Sequence, residues 1–241
     1  MLKLQAIFAM LAQLAVAAPA VADQPAAAAF ARTRTTAERA LQGLLRANPG
    51  AEATWQPQLP GPALVVGLQA PVAMADPAAA VLQFARRHAA LWGVRAQQLQ
   101  VIGETRSRDR HTVHLGLAVT VGERTAPVLD RRLSVTVDRA KGHLLAVASD
   151  LLPVPTLRPT TVTDQAAAAR GVQAMGLCEA AAKCADLGRA APTRLAVAAD
   201  LTGATPVWVV DVQAGGALKR TAVLVDAWTG AALRATPVAI D

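Results

Sequence analysis

The four histidines are the side chains most suited to bind a metal ion or to act as a general base. A zinc metalloprotease helix requires two histidines four positions apart, with a glutamate directly after the first. The residues that follow the histidines here are Ala89, Thr112, Leu115 and Leu144. His111 and His114 are three apart in a predicted strand, so their side chains fall on opposite faces. We therefore predict no catalytic residue and no metal ligand among them.

The sequence also contains no pattern for a serine or cysteine nucleophile. The serines are Ser107, Ser134 and Ser149, and none lies in a G-x-S-x-G turn. Neither cysteine has a histidine close by in the sequence, and a base that is near only in space cannot be read from it. Gly215-Gly216 predicts a hairpin turn rather than a phosphate loop. We therefore predict a non-enzymatic protein without a cofactor.

Cys178 and Cys184 are candidates for a disulfide, and their spacing sets a condition for it. Six positions on a straight helix span about 9 Å of rise and reach opposite faces, too far for a bond. The bond therefore forms only if residues 176–188 bend into a short loop, and otherwise both thiols stay free. We favour the disulfide.

One motif occurs twice at a fixed distance. The string V-x-V-D-x-x-x-G is formed by Val135, Val137, Asp138 and Gly142, and 88 positions later by Val223, Val225, Asp226 and Gly230. Each aspartate can accept hydrogen bonds from turn amides, and each glycine can adopt a positive φ. Asp76 and Asp164, which we predict to open a helix in each half, are also 88 apart. The shared offset predicts two related units whose turns need no ligand.

Hydrophobic periodicity predicts an α+β fold in which each unit is a helix followed by an antiparallel meander. A first helix is predicted from a capping box at Thr35 and Glu38, and a second from Asp76 to Gly93. A third begins at Thr163 and Asp164. The predicted strands are 63–68, 99–104, 112–121, 129–138, 143–151, 193–198, 206–213, 217–226 and 231–235.

The chain divides into four segments on these signals. Residues 1–22 form a signal peptide, and 23–75 form an N-terminal lead-in with one helix, disordered over 23–34. The two α+β units cover 76–158 and 159–241. The signal peptide consists of Lys3, an apolar run and a small-residue cleavage site at Ala20-Val21-Ala22. We expect a periplasmic or extracellular protein, with no membrane association after cleavage.

The charge balance is basic, with a formal net charge of +7. Aromatic residues are 3% of the chain, tyrosine is absent and the arginines are scattered, so we predict no nucleic-acid partner. Arg106, Arg108 and Arg110 alternate and would face one side of a hairpin. They could contact phosphates or an acidic protein surface, or simply form a solvated loop, which we favour.

Residues 76–153 resemble the fungalysin/thermolysin-type metalloprotease propeptide (FTP) domain. The resemblance is carried in order by Ala80–Val94, Pro127-Val128, Leu133–Asp138 and Gly142–Pro153. The second half resembles the PepSY-like module that usually follows, through Trp208–Val212 and Val223–Gly230. The chain departs from the FTP pattern at Asp130-Arg131, where the family usually has a glycine pair, and at Gly116–Val119, where it usually has a glutamine.

The resemblance implies a function through a partner. Propeptides of this family bind their protease domain, assist its folding and hold it inactive. We expect this chain to do so in trans, as an inhibitor or folding chaperone of an exported zinc metalloprotease. The alternatives are a general exported protein-binding module with a non-protease partner, and a truncated or degenerate protease, which the lack of a His-Glu-x-x-His helix disfavours.

Overall fold

A computed structural model describes residues 24–179, 181–188, 191–213 and 220–238. The predicted signal peptide and the predicted Gly215-Gly216 turn lie outside these residues. The α+β class is confirmed, with helices packed on two antiparallel sheets. The helices are α1 (Gln24–Ala47), α2 (Pro77–Arg87), α3 (Asp164–Ala174) and α4 (Ala181–Gly188). The strands are β1 (Glu52–Trp55), β2 (Pro62–Val66), β3 (Leu99–Arg106), β4 (Arg110–Val121), β5 (Arg124–Pro127), β6 (Leu133–Asp138), β7 (His143–Ser149), β8 (Thr193–Ala199), β9 (Ala204–Gln213), β10 (Arg220–Asp226) and β11 (Ala232–Val238).

Helix α1 begins eleven residues before its predicted start, so the prediction of disorder over 23–34 is wrong from Gln24 onward. Alanine has the highest helix propensity, and this stretch is rich in it. The predicted capping box is also wrong, because the Thr35 hydroxyl donates to the carbonyl of Ala31 at 3.1 Å inside the helix. Glu38 instead pairs with Arg34 at 3.4 Å.

The larger sheet has the strand order β1-β2-β7-β6-β4-β3, and β5 pairs with β4. Helix α2 packs on β3 and β4, and alternate residues of the strands are buried beneath it, among them Val113, Leu115, Val135 and Val147. The Asp76 carboxylate caps α2 by accepting from the Ala79 amide at 3.0 Å. The helix ends at Arg87 with His88 as its C-cap, and a 3₁₀ turn, Ala89–Trp92, follows and is capped by Gly93.

Several predicted boundaries on the larger sheet need correction. The strand predicted over 129–138 begins only at Leu133, because Asp130 has a φ of 54° that breaks the extended conformation. Strands β1 and β5 were not predicted. The loop-rich segment 51–75 therefore contributes the β1–β2 hairpin to this sheet, and β2 pairs with β7.

The smaller sheet has the order β11-β10-β9-β8, with α3 packed on one face over Trp208, Val210 and Val223. The Thr163 hydroxyl caps α3 by accepting from the Ala166 amide at 3.2 Å. Asp164 is the first helical residue rather than the cap. The first residues of α2 and α3 are therefore one position closer in the sequence than the 88-residue spacing of the repeated strands.

The last hairpin of each unit matches its counterpart residue by residue. Val135 pairs with Val147 on the larger sheet, and Val223 pairs with Ala235 on the smaller one. Each hairpin has a register shift at the same place, between Thr136 and Val137 and between Leu224 and Val225. All of these positions differ by the 88 residues of the sequence repeat.

The two units share a junction along β8. The Leu129 amide donates to the carbonyl of Val197 at 2.8 Å, and the Arg131 guanidinium donates to the carbonyl of Ala199 at 3.2 Å. Val197 is fully buried and belongs to the core of the first unit. Because apolar burial crosses the junction, we expect the units to unfold together.

Candidate protein-binding surface

Three of the histidines contact different groups. His88 packs against Phe84 with ring centroids 4.6 Å apart. Its pKa is lowered mainly by partial burial and to a smaller extent by the charge of Arg87. His111 and His114 do lie on opposite faces of β4, as predicted: the first contacts Glu104, and the second contacts Ser134. A second histidine takes part in neither of these contacts.

His111 is part of a charged cluster at one end of the larger sheet. Its Nε2 lies 2.7 Å from Glu104 Oε2, and the Arg106 guanidinium lies 3.0 Å from the same oxygen. The hydrogen bond from Arg106, and to a smaller extent the one from His111, holds the pKa of Glu104 below its ordinary value. A carboxylate that is kept charged in this way is a poor general base, so we interpret the cluster as structural.

Ser134 and His114 form a contact that the sequence did not predict. Ser134 Oγ and His114 Nδ1 lie 3.0 Å apart across β6 and β4, and His114 Nε2 lies 3.2 Å from Thr105 Oγ1. A catalytic triad would require a carboxylate on the second ring nitrogen. Within the described ranges, neither nitrogen of His114 bonds one. The three side chains form a cross-strand polar ladder.

No group of three or more His, Cys, Asp and Glu side chains in the described residues is placed to hold a metal ion. None of the described helices has both the length and the hydropathy that a membrane span requires.

The structure joins Cys178 and Cys184 in a disulfide, with their Cα atoms 5.3 Å apart. The required bend is present: α3 ends at Ala174, Gly176 adopts a φ of 68°, and only Cys184 lies within α4. Disulfides persist in oxidising compartments, so this bond is compatible with export.

The repeated aspartates and glycines form two equivalent turns. Asp138 Oδ1 accepts from the amides of Ala140 and Lys141, both at 2.9 Å. Asp226 Oδ1 accepts from the amides of Trp228 and Thr229 in the same manner, at 2.7 and 2.8 Å. Gly142 and Gly230 follow with φ values of 66° and 75°. These contacts satisfy the turns internally.

The outward face of the larger sheet is a candidate surface for a partner. Helices α1 and α2 pack into the core on its other side. We call this surface the open face, and its side chains are half-buried or exposed: Leu64, Val66, Ile102, Thr112, His114, Ser134, Thr136, Ala146 and Ala148. Small and hydroxyl residues occupy its centre, and exposed aliphatic residues lie towards its two edges.

A group of cations borders the open face at one end. The basic end comprises Arg108, Arg110, Arg139 and Lys141, on the β3–β4 hairpin tip and the β6–β7 turn. Arg139 Nη1 joins the two by donating to the carbonyl of Ser107 at 2.9 Å. The predicted exposed tip is therefore one part of a larger cationic surface. Arg106 lies opposite the buried His111 and pairs with Glu104, so it faces the other side of the hairpin from Arg110, and the predicted single side is wrong.

An apolar groove lies where the two units meet α1. It has a volume of about 570 Å³ and is lined by Phe30, the 152–155 linker and the β8–β9 turn at Leu201. Asp200 at its rim bonds the Thr202 hydroxyl at 2.6 Å, and this bond foremost lowers the pKa of the carboxyl. The groove therefore offers apolar contact rather than a reactive group.

Comparisons with known proteins identify no family. No protein-family profile matches the chain, and no curated protein is significantly similar to it. Among solved structures, the Bacillus megaterium YpeB C-terminal domain is similar at a TM-score of 0.39 and 9% sequence identity. That similarity covers 86% of this chain and 97% of that one. At this TM-score it supports no argument about function.

Proposed function

We propose that this protein is an exported, non-catalytic partner of a zinc metalloprotease, which it inhibits or helps to fold in trans. The observation that carries the proposal is the open face, a sheet surface on which no helix of the described residues packs. One face of an antiparallel sheet often contacts water, so openness alone is not a site. The composition of the open face is the second argument for a site, because the small side chains at its centre allow a partner to approach closely.

The open face is suited to occlusion of another protein. A stable protein–protein interface buries about 800 Å² on each partner, and a sheet of several strands provides an area of that order. Leu64, Val66 and Ile102 are 36%, 37% and 54% exposed. Their burial by a partner would be favourable, and occlusion requires no reactive group on this protein.

The identity of the partner rests on the sequence resemblance to metalloprotease propeptides. A propeptide of that family binds its protease domain and holds it inactive, which agrees with a candidate surface without catalytic groups. The basic end next to the open face would favour an enzyme with an acidic rim and would speed its association. The predicted signal peptide and the disulfide support export to the compartment of such enzymes.

A second candidate is an exported binding module with a non-protease partner. It is favoured by Asp130 and Arg131, which replace the glycine pair of the propeptide family. Arg131 bonds Ala199, and Asp130 pairs with Arg234 at 3.0 Å. These residues join the two units here, so the site of an expected family contact serves a different purpose.

The test combines binding and inhibition. The protein without residues 1–22 is added to a zinc metallopeptidase exported by the same cells, and cleavage of a peptide substrate is followed against dose. We expect dose-dependent loss of activity. Ala148→Arg places a long cation on the exposed centre of the open face and should abolish the inhibition.

Ala166→Arg is the matched control, because Ala166 is an exposed alanine on α3, outside the open face. It should inhibit as the wild type does. Equal inhibition by both variants would exclude the open face as the contact surface. Failure of the wild type to bind, inhibit or assist the folding of any co-exported metallopeptidase would overturn the proposal in favour of the second candidate.

A further inference from the structure

The repeat exposes a difference between two equivalent strand edges. Strand β7 ends the meander of the first unit, and its outer edge is occupied by β2. Strand β11 is its counterpart 88 residues later, and it is the terminal strand of the smaller sheet. No strand of the described residues pairs with the outer edge of β11. The first unit thus shows how an edge of this shape is filled.

The register shared by the two hairpins shows which main-chain N–H and C=O groups point to the outer edge of β7 and of β11. The Gly67 amide donates to the carbonyl of Leu145 at 3.0 Å, so the main chain of Leu145 faces β2. Leu145 is the extra residue at the register shift, and Leu233 is its equivalent in β11. Backbone direction alternates along a strand, so Ala235 also faces outward. Pro237 has the same parity, and its missing N–H agrees with this direction.

A bulge or a proline can protect an edge from pairing, which is the simplest explanation of Leu233 and Pro237. The bulge does not prevent pairing in this fold, because β7 has it at the same position and pairs with β2. In the register of β2, the paired stretch covers the equivalents of Arg234, Ala235 and Thr236. Pro237 lies beyond that stretch.

The charges around β11 indicate what would dock there. Arg220 and Arg234 project from the same face of neighbouring strands. Arg170 of α3 lies on the other side, where its Nε is 2.8 Å from the position that a Cβ on Gly230 would occupy. Arg234 pairs with Asp130, and both side chains are more than half exposed. Two copies of this edge would bring like charges together, which disfavours a homodimer.

We propose that the outer edge of β11 is a strand-docking site for an extended, acidic segment of another protein. The segment pairs antiparallel to β11 in the register of β2. It places a small apolar residue opposite Ala235 and carboxylates opposite Arg234 and Thr236. Main-chain hydrogen bonds hold it, and Arg220 and Arg234 select its charge. The inference stands whether or not the partner is a peptidase.

The test uses two blocked synthetic peptides of seven residues, the length of β11, in which valine alternates with glutamate or with lysine. Binding to the folded protein is followed by backbone NMR. We expect the glutamate peptide to shift resonances of β11 and of Arg170, Arg220 and Arg234, while the lysine peptide does not. Shifts confined to any other surface would overturn the proposal.

Two variants test the edge itself. Ala235→Pro removes an outward N–H and should weaken binding of the glutamate peptide at least about tenfold, which corresponds to one or two hydrogen bonds. Ala235→Val is the matched control, keeps the N–H and should bind as the wild type. Circular dichroism shows whether both variants are folded. If either unfolds, Arg234→Glu replaces it as the test, and this variant should bind the lysine peptide more tightly than the glutamate peptide. Unchanged binding by a folded Ala235→Pro, or a dimer that Ala235→Pro dissolves, would contradict the assignment.

Discussion

The two units of this protein share a hairpin and differ in what surrounds it. In both, the last two strands have the same register shift, and an aspartate and a glycine close the turn between them. The first unit adds the β1–β2 hairpin to its outer edge, whereas the second has the Cys178–Cys184 disulfide near its helix. The turn and register are thus properties of the repeated sequence, whereas the covering of each edge depends on segments outside the repeat.

The units also differ in how they bury tryptophan. Trp92 is 1% exposed in the first core, and Trp208 is 3% exposed in the second. The Trp208 indole donates to the carbonyl of Val162 at 2.9 Å. The indole nitrogen of Trp92 bonds no group among the described residues. Both tryptophans fill their cores, but only the second also anchors a linker.

The largest effect is expected from Trp92→Ala and Trp208→Ala. Each should lower the free energy of unfolding by about 4 kcal/mol, the usual cost of removing a buried tryptophan. Because Val197 joins the two cores, either change should shift one shared transition in urea, followed by far-ultraviolet circular dichroism. Two separate transitions, with each variant moving only one, would show that the units are independent.

Removal of the disulfide should affect the second unit next most strongly. The double substitution of Cys178→Ser and Cys184→Ser should cost about 2 kcal/mol, the entropic estimate for a short closed loop. The urea midpoint of the wild type should fall on reduction by dithiothreitol. The double variant is the control and should not respond to the reductant. A wild type equally stable in both conditions would contradict this role.

The two turn glycines allow a matched comparison. Gly142→Ala and Gly230→Ala should each lose about 1 kcal/mol, because alanine is strained at positive φ. The two losses should be similar, because the new Cβ at Gly230 would meet only the exposed, flexible Arg170 side chain, and at Gly142 it would meet Met74 Cγ at 3.4 Å, an ordinary contact. Gly103→Ala is the control, since its Cβ would meet no atom within 4 Å. Clearly unequal losses at the two glycines in urea unfolding would contradict the expectation.

The first turn should also respond to acid. Hydrogen bonds from the backbone amide of Lys141 foremost hold the pKa of Asp138 below its ordinary value of 3.8. A lowered folded pKa gives stability that is present above the ordinary value and lost as the pH falls through the folded one. Asp138→Asn should therefore lose less stability than the wild type between neutral pH and pH values below 3.8, measured as urea midpoints. Equal losses would exclude this contribution.

The smallest effect is expected at the exposed ion pair between the units. Asp130 and Arg234 are 75% and 57% exposed, and such pairs contribute at most about 0.5 kcal/mol. Asp130→Ala should leave the urea midpoint nearly unchanged, and the transition should stay single. A split transition in this variant would mean that the pair couples the units.

The sequence was most informative where structure is local. The Asp76 and Thr163 caps, the alternating strands and the two Asp-Gly turns depend on residues a few positions apart, and they were predictable for that reason. Helix α1 was placed too late because a capping pattern was read within an alanine-rich stretch whose propensity carries the helix through it. The strand predicted from residue 129 failed because the left-handed backbone of Asp130 leaves no sign in hydrophobic alternation.

The sequence by itself determined the α+β class, the repeat and the spacing at which a disulfide is possible. Only the tertiary structure decided that β2 covers β7 while β11 ends its sheet, that His114 meets Ser134, and that residues 176–188 bend enough for the bond. The physical reason is range. Caps, turns and periodicity arise from neighbouring residues, whereas strand pairing and side-chain contact across a sheet join residues far apart in the chain.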